Sequence, residues 1–84
     1  MRIAADVAWV DDERAAYVAK VPYGDPLVLE GSAAAVWRAI ADGCADVDAI
    51  AARAAALTGA DLTETVASDV RTFVQRLVAG GLVV

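Results

Sequence analysis

The chain has 84 residues, 12 acidic against 7 basic side chains and no histidine. The missing histidine removes the commonest general base and metal ligand, and with it every Ser–His or Cys–His nucleophile. One thiol among scattered carboxylates makes no zinc signature, and neither a phosphate-binding lysine loop nor a dinucleotide glycine fingerprint occurs, so no catalytic site, metal or cofactor is expected.

A chain this short buries roughly 60–65% of its unfolded surface, enough for one core. Residues 1–84 are therefore expected to form a single domain. The composition is 60% hydrophobic, which is globular rather than disordered. No apolar run approaches the ~18 residues of a membrane span. Asp6, Asp11, Asp12 and Glu13 argue against a secretory signal in the first twenty residues, and the expected compartment is the cytoplasm. Cys44 stands alone, so no internal disulfide is expected.

The first segment, residues 3–10, carries Ile3, Ala5, Val7 and Trp9 on one parity. This predicts a strand with an apolar inner face. Asp11 to Arg14 form a polar turn. Residues 15–22 read as a second strand, with Tyr17, Ala19 and Val21 on one face and Lys20 on the other. Trp9 and Tyr17 are then expected as cross-strand neighbours. Pro22 to Pro26 make a second turn. Leu27 to Glu30 form a third, short strand, and Pro26 at its mouth suits a sheet edge.

Gly31 and Ser32 break that strand. Ser32 is expected to cap a helix over residues 33–41, with Val36, Trp37 and Ile40 on its buried face. Gly43 suits its left-handed end. A second helix over 47–57, capped by Asp46, has a stripe of Val47, Ile50, Ala51, Ala54 and Leu57. A third over 62–79 is expected behind Asp61, with Glu64 completing a capping box. Its stripe is Val66, Val70, Phe73, Val74, Leu77 and Val78. Gly80 and Gly81 end it. The predicted fold is α+β: a three-stranded antiparallel sheet followed by three helices, βββααα, in the winged-helix-like manner.

An edge strand is an open row of backbone donors and acceptors, which a protein either protects or uses. The shortness of residues 27–30 is one form of protection; strand addition is the use. Trp9, Trp37 and Phe73 suit a core or a binding surface. Ser32 suits a helix cap, and the attachment serine of a carrier domain is the alternative. A winged helix can also read DNA, but Arg53, Arg71 and Arg76 stand among as many carboxylates. The net charge of −5 gives little phosphate neutralisation, so nucleic acid is not the expected partner.

The run Leu29-Glu30-Gly31-Ser32-Ala33-Ala34-Ala35-Val36-Trp37 resembles the strand-to-helix junction of PqqD-like domains. Asp42-Gly43, Val47 to Ala51, Asp69 to Leu77 and Gly81-Leu82-Val83 resemble the family's later segments, in the same order. The resemblance implies a non-catalytic recognition element for the leader of a ribosomally made, post-translationally modified peptide. It implies that the leader adds as a strand to the third strand and lies between it and the third helix. A leader peptidase or another modifying enzyme then acts on the captured precursor. The chain most resembles the stand-alone recognition proteins of lasso-peptide pathways, with the quinone-cofactor and mycofactocin types as alternatives.

The candidate peptide-binding residues are then the backbone of Leu27, Val28, Leu29 and Glu30, and a helical ridge of Val66, Asp69, Phe73 and Arg76 spaced three, four and three apart. Leu27 and Leu29 share the core-facing parity. Phe73 is expected as an apolar floor, with Asp69 and Arg76 reading polar or charged leader groups. The protein is expected as a monomer or a weak strand-paired dimer.

Overall fold

The computed structural model describes all 84 residues. Its elements run β1 (Val7–Asp11), β2 (Ala15–Lys20), β3 (Leu27–Glu30), α1 (Ser32–Ala41), α2 (Val47–Thr58) and α3 (Glu64–Ala79). The sheet is antiparallel in the order β1-β2-β3, as the alternation and short turns predict. The element order and the edge position of β3 both agree with the sequence reading.

The first strand is shorter than the alternation suggests. It begins at Val7, and Ile3 forms only an isolated bridge with Val83. The ends of the chain lie together there, with Arg2 and Val84 exchanging two backbone hydrogen bonds of 2.8 Å.

The inner face of β2 is the reverse of the expected one. Ala16 and Val18 are buried, while Tyr17 is 45% exposed. The register places Trp9 opposite Val18 and Val10 opposite Tyr17, so Trp9 and Tyr17 lie on opposite faces. The reason is volume. The indole of Trp37 on α1 is fully buried, and a small alanine and a valine leave it room where a tyrosine ring would not. Trp9 meets Trp37 in a T-shaped pair with ring centroids 6.0 Å apart.

The core collects Val18, Leu29, Val36, Trp37, Ile40 and Ile50 with Val70, Val74 and Leu77 from α3. Val36, Trp37 and Ile40 are buried as their spacing predicts. Leu57 and Val78, placed in the helical stripes by sequence, are instead exposed; in the last turn of α3 it is the neighbouring Leu77 that takes the core-facing position. Ala55 is buried on α2 in addition to Ala54.

Three helix starts were expected at side-chain caps, and one forms as expected. The Asp46 carboxylate accepts from the Ala49 N–H at 2.8 Å. Helix α3 starts two residues later than expected, because the Thr63 hydroxyl accepts from Val66 N–H at 3.2 Å and Asp61 lies outside the helix. Ser32 caps nothing. Gly31 is the N-cap of α1, at φ 57° and ψ −126°, with no side-chain hydrogen bond. That backbone region is nearly restricted to glycine. It turns the chain from β3 directly into α1, which sets the angle between the edge strand and the helices.

Candidate functional site

The edge of β3 away from β2 is free. Its only strand partner is β2, and no turn, loop or cap hydrogen bond reaches the backbone of residues 27–30. Alongside it runs an apolar trough with two compartments. The lower one, about 360 Å³, lies between β3 and the last turns of α3; its lining includes Leu27, Leu29, Phe73, Arg76, Leu77 and Leu82. The upper one, about 270 Å³, lies between the starts of α1 and α3 and the end of α2; its lining includes Ala33, Val36, Thr58, Val66, Asp69 and Phe73. Phe73 belongs to both and is their shared wall.

The helical ridge predicted from spacing is therefore brought to the trough intact. Val66 and Asp69 stand in the upper compartment and Arg76 in the lower, on either side of Phe73. Val70, Val74 and Leu77 turn to the core. On β3, Leu29 is buried, but Leu27 is 46% exposed. It has the core-facing parity, opposite Val18, yet sits where the sheet outruns the helices. Its side chain forms the trough's rim and is not core. Val28 and Glu30 line neither compartment; only their backbone is available to an added strand. Val28 instead extends an exposed cross-strand row with Tyr17 and Val10 on the outer face.

Sequence reasoning missed the contributions of α1, α2 and the β2–β3 turn. Ala33 and Val36 looked like helix filler and core, and Thr58 like a helix end. Thr58 uses its hydroxyl on the Ala54 and Ala55 carbonyls at 3.0 and 3.2 Å, so it presents its methyl-bearing side and little polarity. Nothing in the local pattern marks these residues, because the upper compartment exists only where three helices diverge.

Polar groups are few and sit at the margins. Lys20 pairs with Asp6 at 3.2 Å and lies beside Asp25 at the lower rim. The other ion pairs, Arg38–Asp11 and Arg53–Asp42, are elsewhere. Asp69 and Arg76 are exposed and belong to no ion pair or side-chain hydrogen bond. No group of three or more histidine, cysteine, aspartate or glutamate side chains is placed to hold a metal. Cys44 is half-buried in the α1–α2 turn, away from the trough. No helix is long and apolar enough to cross a membrane.

A three-stranded sheet whose β3 edge opens along an apolar trough, backed by a core of three helices, defines a small α+β domain of winged-helix-like shape. The model of the family described as coenzyme PQQ synthesis protein D matches residues 10–83, and the chain belongs to this PqqD family. A solved structure, TbiB1 in complex with the TbiA(beta) leader peptide, has the same fold. It superposes with a TM-score of 0.82 at 20% identity, covering 99% of this chain and 94% of the other. No curated protein matches the sequence.

Proposed function

We propose that this protein is a non-catalytic recognition element that captures the leader of a ribosomally made precursor peptide in the cytoplasm. It presents the leader to a leader peptidase or another modifying enzyme, in the manner of lasso-peptide pathways. The observation that carries this reading is the unpaired edge of β3 running along a trough of apolar side chains. An extended peptide added to that edge gains main-chain hydrogen bonds from Leu27 to Glu30, and alternate side chains enter the trough for specificity. Membership of the PqqD family and the likeness to TbiB1, whose structure holds a leader peptide, support the reading. An acidic chain with no concentrated basic surface suits it better than DNA binding.

The test is a fluorescence-anisotropy titration with the labelled leader of a precursor encoded beside this protein, at low and high salt. Saturable binding with a dissociation constant of the order of micromolar or tighter, changing little with salt, is expected. Absence of saturable binding, or a steep fall with salt of the kind DNA binding shows, overturns it.

A further inference from the structure

The α3 ridge that walls the trough carries one unpaired charge of each sign, while Asp25 and Lys20, the latter paired with Asp6, stand at the lower rim. Asp69 is in the upper compartment and Arg76 in the lower, with Phe73 between them. The Leu27–Leu29 end of β3 lies with Arg76, and Ser32, which follows β3, lies with Asp69. Charge therefore varies along the direction of the edge strand. Both groups are exposed and neither has an internal partner.

Resting on the peptide-capture reading, we propose that Asp69 and Arg76 fix the direction and charge order of the captured leader. The sequence distance from Asp69 to Arg76 is seven residues, about 10 Å of helix. In an extended peptide, side chains facing the trough recur every second residue, and two such steps cover about 13 Å. The flexible ends of lysine, arginine and glutamate side chains absorb the difference. The matching pattern is a basic residue at Asp69, an apolar residue at Phe73 and an acidic residue at Arg76, each two positions apart.

The order follows from the sheet. Both existing pairings are antiparallel, and antiparallel pairing is the more stable per residue. A strand antiparallel to β3 passes Asp69 first and Arg76 last. The basic residue therefore precedes the apolar one, and the acidic residue comes about four positions after the basic one. A leader laid in the opposite direction brings like charges together at both places.

The experiment measures binding of the same leader by wild type, Asp69→Asn and Arg76→Gln. Each acidic and each basic leader residue is neutralised in turn, so that double-mutant cycles are complete. Both protein positions are exposed, so the fold is kept. One acidic leader residue is expected to couple to Arg76 by about two- to fivefold, and a basic residue about four positions before it to Asp69 by a similar factor, the range of exposed ion pairs. Coupling in the reverse order overturns the inference, as does coupling of no leader charge to either residue, while the capture reading stands. Failure of the wild type to bind the leader overturns the capture reading itself.

Discussion

Arg38 on α1 holds both carboxylate oxygens of Asp11 at the end of β1. Its Nε donates to Oδ1 and Oδ2 at 2.9 Å each, and its Nη2 donates to Oδ1 at 2.7 Å. The same Nη2 reaches the Asp12 carbonyl at 2.7 Å. The fork ties the β1–β2 turn to the first helix, on the side of the molecule away from β3. Side-chain hydrogen bonding to Asp11 raises the Arg38 pKa further above its ordinary value. Arg38→Ala is expected to destabilise the fold by about 1 kcal/mol, near the upper end for solvent-screened pairs because the geometry is forked. Urea denaturation checks this, and a cycle with Asp11→Asn should show the two losses to be non-additive.

Asp12 supplies an acid-sensitive element in that same turn. Its Oδ1 accepts from the backbone N–H of Arg14 at 2.7 Å and of Ala15 at 2.8 Å. These bonds favour the carboxylate and hold its pKa below the ordinary value of 3.8, with smaller contributions from Tyr17 and Arg38. A carboxylate depressed on folding stabilises the native state above its unfolded pKa. That contribution is lost as pH falls through the folded value. Thermal stability from this group is therefore expected to be level at neutral pH and to decline below about pH 4. Asp12→Asn should flatten this part of the curve relative to wild type.

The β3–α1 junction depends on the backbone of Gly31 and not on the side chain of Ser32. Gly31→Ala forces an L-residue into φ 57° and is expected to cost about 1–3 kcal/mol. Nothing lies within 4 Å of the added methyl, so the cost is conformational. Ser32→Ala should change stability by no more than about 0.5 kcal/mol. Equal losses from both would mean that the serine hydroxyl caps α1 after all.

The start of α3 gives a paired comparison of the same kind. Thr63→Ala removes the bond to Val66 N–H and should cost about 1 kcal/mol, while Asp61→Ala should be close to neutral. Chemical denaturation of the two variants separates them.

On the capture reading, Phe73→Ala joins the two compartments and should weaken leader binding about tenfold or more, since it removes much of a large apolar contact. Its circular dichroism should stay native, because Phe73 is only half-buried. Arg76→Glu should change affinity more than Arg53→Glu. Both alter the net charge equally, but Arg53 sits on α2 beside Asp42 at 3.5 Å. Equal effects would point to a non-specific surface.

The sequence revealed most where side chains were large or chemically specific. Trp37, Ile40 and Ile50 mark their helical faces unambiguously, and Asp46 is a strong cap signal. The alanine-rich β2 carries no such contrast. Its Ala15, Ala16 and Ala19 occupy both parities, so Tyr17 drew the inner face to the wrong side until the bulk of Trp37 decided it. Asp61 competed with Thr63 for one helix start, and only the backbone path chose between them. The ridge from Val66 to Arg76 was legible because helical spacing alone puts its residues on one line. The upper compartment was not, since it is formed by the divergence of helices distant in sequence.

The two indoles also equip the molecule with its own optical reporter. Trp37 is fully enclosed and Trp9 stacks edge-on against it, while neither lines the trough. Native emission from Trp37 should therefore lie at short wavelength and move to the red as the core opens. Occupancy of the trough changes neither ring's immediate surroundings. Intrinsic fluorescence thus follows unfolding, and a dye on the peptide follows capture, so a single sample distinguishes a variant that no longer folds from one that folds and no longer binds.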